Sequence, residues 1–244
     1  MMKSFLAIYK KDFRGMFMGA SAYFLIIAFL VINGLFLWVF KSPYNILDNG
    51  YSDLSDFFRL APWLMIILTS VLTMKSFSEE FKTGTIEILF TKPITINALV
   101  FAKFSAILSV LLIAVIPTLT YVISIYNLSD MPENVGLGIF ITSYLGLFLV
   151  ITLFCAIGIT CSAFTKNQIV AFLSSSLIMF LFYYGFSQLN TTLIQSIDFN
   201  KIASTYHYDN FRKGLIDSRS LVYFISISIS FLFITQYKIK SIKK

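Results

Sequence analysis

Short polar and charged runs divide this chain into six long apolar stretches, at residues 22–40, 61–74, 104–126, 139–164, 169–189 and 221–237. None of the six contains Asp, Glu, Lys or Arg. A helix that crosses a bilayer takes about 20 predominantly apolar residues. The pattern therefore predicts six transmembrane helices, the second continuing past Lys75 to about residue 77. Within the last stretch Ile and Ser alternate over 225–230. A period of two suggests a strand, but a lone strand would leave its backbone unpaired in hydrocarbon, so helix is expected there too. The first 20 residues read differently. At about 100° per residue, Phe5, Ile8, Tyr9, Phe13, Met16, Phe17 and Ala20 fall on one side and Lys3, Lys10 and Arg14 on another. This pattern predicts an amphipathic helix in the headgroup plane over 1–20. The alternative is a cytoplasmic extension of the first span. The expected fold class is an all-α integral membrane protein, with 1–244 as one transmembrane domain.

Composition agrees. Of 244 residues, 57% are hydrophobic and 13% charged, with a mean hydropathy of +0.81. A soluble domain carries about 25% charged residues, and disordered chains are poorer still in apolar ones. A net charge of +7 on a soluble protein would raise nucleic acid as a partner. Here it reports orientation, because cytoplasmic loops collect Lys and Arg. With both termini inside, 13 Lys and Arg fall on the cytoplasmic side and 6 outside. The expectation is a multi-pass membrane protein with both termini cytoplasmic. No nucleic acid is expected as a partner.

The chain is poor in catalytic constellations. It has no Gly-x-x-x-x-Gly-Lys-Ser/Thr loop, no His-Glu-x-x-His and no Gly-x-Ser-x-Gly, so no catalytic residues, metal or cofactor are expected in this chain. None of the predicted spans centres on an ionisable group, which argues against proton-coupled transport. Cys155 and Cys161, six residues apart, point about 240° apart on a helix and read as inert buried thiols. His207 is expected in a polar loop without a second ligand beside it. Asn33, in the first span, is expected to hydrogen-bond a neighbouring helix.

The inside loop, 75–103, is the most informative segment. Phe77, Phe81 and Ile88 recur at helical spacing, and Glu79, Glu80, Lys82 and Glu87 supply charge. Gly84 interrupts the run, Lys92-Pro93 stops it, and Thr95 is placed to cap the helix entering span three. The spacing predicts a short, broken amphipathic helix held at both ends by spans, suited to take a push from a soluble partner.

The segment from Ser76 to Pro93, Ser-Phe-Ser-Glu-Glu-Phe-Lys-Thr-Gly-Thr-Ile-Glu-Ile-Leu-Phe-Thr-Lys-Pro, resembles the cytoplasmic signature of ABC-2-type ABC transporter permeases. Further similarity lies at Asn45-Ile-Leu-Asp-Asn-Gly-Tyr-Ser-Asp-Leu, Leu60-Ala-Pro-Trp, Pro117-Thr-Leu-Thr-Tyr, Asn167-Gln-Ile-Val-Ala-Phe and Gly214-Leu-Ile-Asp-Ser-Arg. Together these are similar to the gliding-motility-associated branch, the F subunit of the Gld transporter. Lys75 and Ser220 stand where that branch leads us to expect Arg and Asp. The resemblance implies a six-span permease half, an exporter linked to gliding motility or associated secretion. Its implied partners are a separate ABC ATPase subunit carrying ATP and Mg, a second permease half (the same chain or a related one) and the lipid bilayer. It also implies that Phe77, Glu79, Glu80, Phe81, Gly84, Thr85, Glu87 and Pro93 form the ATPase-coupling element. A rival reading is a membrane scaffold for a motility or secretion complex that transports nothing.

The outside loops leave alternatives open. Asp48, Asp53 and Asp56 either coordinate a cation or, as is commoner, solvate the loop and cap helices. Asn49-Gly50 marks a turn. Residues 190–220 are long enough for short helices outside the membrane or re-entering it. The substrate is not legible.

Overall fold

A computed structural model describes residues 2–46, 53–91, 94–128, 136–188 and 199–243. Asp48, the Asn49-Gly50 turn, Lys92, Pro93 and the stretch 189–198 lie outside these. Among the described residues every regular element is helical. The chain runs α1 (Met2–Met18), α2 (Ser21–Gly34) with a π turn at Leu35–Val39, α3 (Ser55–Met74), α4 (Ser78–Thr83) and α5 (Thr85–Thr91). It continues through α6 (Ile96–Val115), a 3-10 turn at Ile116–Thr118, α7 (Leu119–Leu128) and α8 (Leu137–Phe164). Then come α9 (Gln168–Phe180) with a π turn at Leu181–Gly185, a 3-10 turn at Phe199–Ile202, α10 (Ser204–Arg212) and α11 (Ser218–Lys243).

Six helical runs are long and apolar enough to cross a membrane: Ser21–Val39, Ser55–Thr83, Ile96–Asn127, Leu137–Phe164, Gln168–Gln188 and Ser218–Lys243. Four contain the whole of an expected stretch and extend beyond it, and the first and fifth end at Val39 and Gln188, one residue short of theirs. The apolar run marks only what lipid tolerates, whereas the helix continues wherever its backbone hydrogen bonds do. Thus α3 starts at Ser55, whose N–H is accepted by the Asp53 carboxylate at 3.2 Å. Likewise α6 starts at Ile96, capped as expected by Thr95, which accepts the Ala98 N–H. The Ile-Ser alternation lies inside α11, where Ser226 and Ser230 donate to carbonyls of their own helix.

The centre of the bundle is α8. It packs against α3, α6, α9, α10 and α11, and 83% of its most apolar window is buried. Two glycines permit this. A Cβ on Gly158 would lie 2.3 Å from Thr73 Oγ1, and one on Gly146 would lie 2.6 Å from Phe211 Cβ. Small residues at such crossings let backbones approach, which is how helices gain packing in lipid. Thr160 ties α8 to α11, donating to the Phe231 carbonyl at 3.0 Å. By contrast α2, α9 and α11 turn apolar stripes outward, among them Phe24, Ile27 and Val31, or Ile169, Leu173 and Leu177, as lipid-facing helices do.

Helix α1 is amphipathic, and its apolar side has a protein partner. It lies on α6, with Ile8 buried and the Tyr9 hydroxyl donating to Ser109 at 3.0 Å. Asn33 departs from expectation. Its amide donates to Phe29 of its own helix at 2.8 Å, not to a neighbour, because an i−4 carbonyl is within reach wherever the side chain folds back.

At the end of the bundle away from α4 and α5, α10 inserts Tyr208 and Phe211, both fully buried. Tyr208 donates to the Phe58 carbonyl at 3.0 Å. His207 belongs to this helix and not to a loop. It is stacked on Tyr223 with centroids 4.1 Å apart, with Nε2 2.9 Å from the Lys201 carbonyl and Nδ1 3.0 Å from Ser220 Oγ. Of the three aspartates expected to bind a cation or cap helices, Asp53 starts α3, and Asp56 pairs with Arg59 at 3.4 Å.

Candidate functional site

The segment between α3 and α6 folds as two short helices. Thr83 closes α4 by donating to the Glu79 carbonyl at 2.8 Å. Gly84 follows at φ +72°, a left-handed conformation that glycine adopts without the Cβ penalty. The Thr83 and Thr85 hydroxyls, 3.0 Å apart, bridge the break.

What holds this element is the end of α8. Ser162 Oγ accepts the N–H groups of Phe77 at 3.0 Å and Ser78 at 3.2 Å, and donates to the Met74 carbonyl at 3.1 Å. Those are donors that the first turn of α4 cannot satisfy itself. On the other side Ile86 is buried, and Lys243, near the end of α11, lies over the Phe90 ring at 5.9 Å. The segment is therefore seated on the bundle.

That seating divides the sequence candidates. Phe77 is fully buried and Phe81, its ring 6.3 Å away, is half-buried. Glu80 also turns inward, its side chain 12% exposed. Glu79, Lys82, Gly84, Thr85, Glu87 and Ile88 are exposed, Ile88 at 60%. Pro93 lies outside the described residues. The apolar side chains expected to meet a partner thus split. Phe77 packs inward because its amide is fixed to Ser162, whereas Ile88, on the far side of the Gly84 break, faces out.

Sequence reasoning missed the residue to which Glu80 turns. Lys103 stands next to the apolar stretch, so it reads as a loop residue. Because α6 begins at Ile96, it lies two turns inside a helix, with its side chain 4% exposed. Its ammonium donates to Glu80 Oε1 and to the Ser76 carbonyl, each at 2.8 Å. It also lies 3.3 Å from Asp12 Oδ2 and 5.0 Å from the centre of the Phe77 ring. Lys11 reaches Glu80 at 4.0 Å. The Thr95 cap was the available signal: counting eight residues from it puts Lys103 in the helix, where a buried ammonium needs an anion.

Beside this cluster a cleft of about 590 Å³ opens between α1, the start of α2, the end of α3 and α4. Lys11, Asp12, Glu79, Glu80 and Lys103 line one part, and Met16, Leu25, Val71 and Leu72 another. Among the described residues no three His, Cys, Asp or Glu side chains gather as a metal site. The arrangement joins an anchored element to a charged cluster beside this cleft. It can transmit displacement.

A family model described as ABC-2 family transporter protein matches residues 6–213, most of the chain. No curated protein matches it. Six candidate spans, an all-helical fold and this match agree: the chain belongs to the ABC-2 transporter family, whose members are multi-pass membrane permease subunits that work with a separate ABC ATPase.

Proposed function

We propose that this chain is one permease half of an exporter in the bacterial inner membrane, serving gliding motility or the secretion associated with it. Its ATPase subunit, which carries ATP and Mg, docks on the outer face of α4 and α5. A second permease half completes the pathway, and both termini are cytoplasmic. One observation carries the docking assignment. Glu79, Lys82, Thr85, Glu87 and Ile88 form an exposed, mixed charged and apolar face on an element whose opposite side is bound to α8 and α6. A surface that receives force must be accessible on one side and anchored on the other. Asp12, Lys103, the 78–91 element and Lys243 share one end of the bundle, which supports an even number of crossings with both termini on the ATPase side.

The test is affinity capture of the tagged chain from native membranes. The wild type should bring down an ABC ATPase. Glu79→Lys combined with Glu87→Lys and Ile88→Ala should insert normally and retain at least about tenfold less of it, as expected for truncating an interface anchor and reversing its charges. Capture of motility or secretion proteins without any ATPase would favour the scaffold reading instead.

A further inference from the structure

We propose that Lys103 is the positioning residue through which movement of the α4–α5 element reaches α1 and α6 together. This inference rests on the docking reading above.

Three elements meet at its ammonium group. Glu80 comes from α4 at 2.8 Å, the Ser76 carbonyl from the α3–α4 junction at 2.8 Å, and Asp12 from α1 at 3.3 Å. The lysine itself belongs to α6. A lysine suits this place because its compact charge donates to Glu80 and Ser76 while standing within ion-pair range of Asp12, whereas a guanidinium keeps its donors in one plane. Elsewhere the cleft of about 590 Å³ separates α1 from α4. Among the described residues the ion pairs linking these two helices all run through Glu80, to Lys11 directly and to Asp12 by way of Lys103. The same element is also attached to α8, through Ser162, and packs against α9.

The mechanical consequence follows from burial. Separating Lys103 from its carboxylates would leave charges unpaired away from water, which is strongly unfavourable. A small displacement of α4 is therefore followed by Asp12 and Lys103 and is not absorbed in the gap. Without the cluster, α4 could tilt into the cleft while α1 and α6 stayed where they are. Glu80 Oε2 is buried without a hydrogen bond, so Glu80 is held by one oxygen, which leaves it able to swing with the ammonium.

The test uses the whole complex purified with its ATPase, in a background lacking Cys155 and Cys161. Spin labels are placed at Thr91 on α5, Lys10 on α1 or Ile113 on α6, each paired with a label at Tyr237 on α11. Distances are measured without nucleotide and with ATP trapped. In the wild type all three should shift. In Asp12→Asn/Glu80→Gln/Lys103→Met, which removes the three buried charges together and leaves only the exposed Lys11 without Glu80, the Thr91 distance should still shift. The Lys10 and Ile113 shifts should fall to less than half. Retained ATPase and an unchanged melting temperature would show that the variant is folded. If all three shifts persist in a folded variant, the proposal is overturned and Lys103 serves packing alone. If the Thr91 distance is unmoved in the wild type, the docking reading fails and this inference falls with it. Should the triple variant misfold, Asp12→Asn alone cuts the α1 arm and keeps the Lys103–Glu80 pair: loss of the Lys10 shift with the Ile113 shift retained upholds the proposal, and retention of both overturns it.

Discussion

Gly158 owes its importance to the side chain it lacks. Its Cα faces Thr73 so closely that a methyl group would lie 2.3 Å from a hydroxyl oxygen, and Thr73 is stiff at χ1 and bonded to Thr69 of its own helix. Gly158→Ala should therefore lower stability by about 1–3 kcal/mol, the usual range for overpacking, read as a reduced melting temperature in detergent. Adding Thr73→Ala should recover most of the loss. No recovery would show that the strain lies elsewhere. His207 has a different dependence. Burial holds its pKa below the usual histidine range, an effect that the Lys201 carbonyl and Asp217 only partly oppose. As pH falls below about 6.5, the ordinary value, the unfolded chain takes up a proton that the folded one resists. Stability should thus decline with falling pH until the folded form is protonated as well. Melting temperatures between pH 7 and pH 5 should drop further for the wild type than for His207→Asn. Equal slopes would remove His207 from the explanation.

The broken helix between α3 and α6 makes a prediction of its own. Gly84 has open space where a Cβ would be but a φ of +72°. Gly84→Val should therefore introduce backbone strain without a clash, about 1–2 kcal/mol from the left-handed conformation alone. Amide exchange in α4 and α5 should accelerate while α8 is unaffected. Acceleration throughout the protein would mean that the segment is not locally seated. Elements of this kind were legible in the sequence where a single local cause sets them: Gly84 for the break, Thr95 for the cap, long apolar runs for the spans. What lay beyond reach was tertiary. Nothing in the residues 77–81 says that Phe77 and Glu80 turn inward. That depends on Ser162 and Lys103, which are 85 and 23 positions away from them. His207 was hidden for the same reason, since Tyr223 and Ser220 reach it from the next helix.

For the whole molecule, the proposed orientation puts Lys82 and Lys213, both exposed, on opposite sides of the membrane. With cysteines at these positions and none at 155 or 161, an impermeant reagent on intact spheroplasts should label position 213 and spare position 82. The reverse pattern would invert the orientation. The architecture that separates these two positions has α8 at its centre, and that placement bears on how the protein is made. Spans leave the ribosome in order, and α8 enters the bilayer before α9, α10 and α11 exist to cover it. During that interval the sides that will become the core face lipid. A helix destined for the interior must then be as oily all round as one destined for the periphery, and α8 is, with a mean hydropathy of 2.4, equal to that of the lipid-facing Ser21–Val39. Substitutions on the faces it turns to these later helices, Gly146 opposite Phe211 among them, should accordingly pass insertion unnoticed and be revealed only when those helices arrive to close around it.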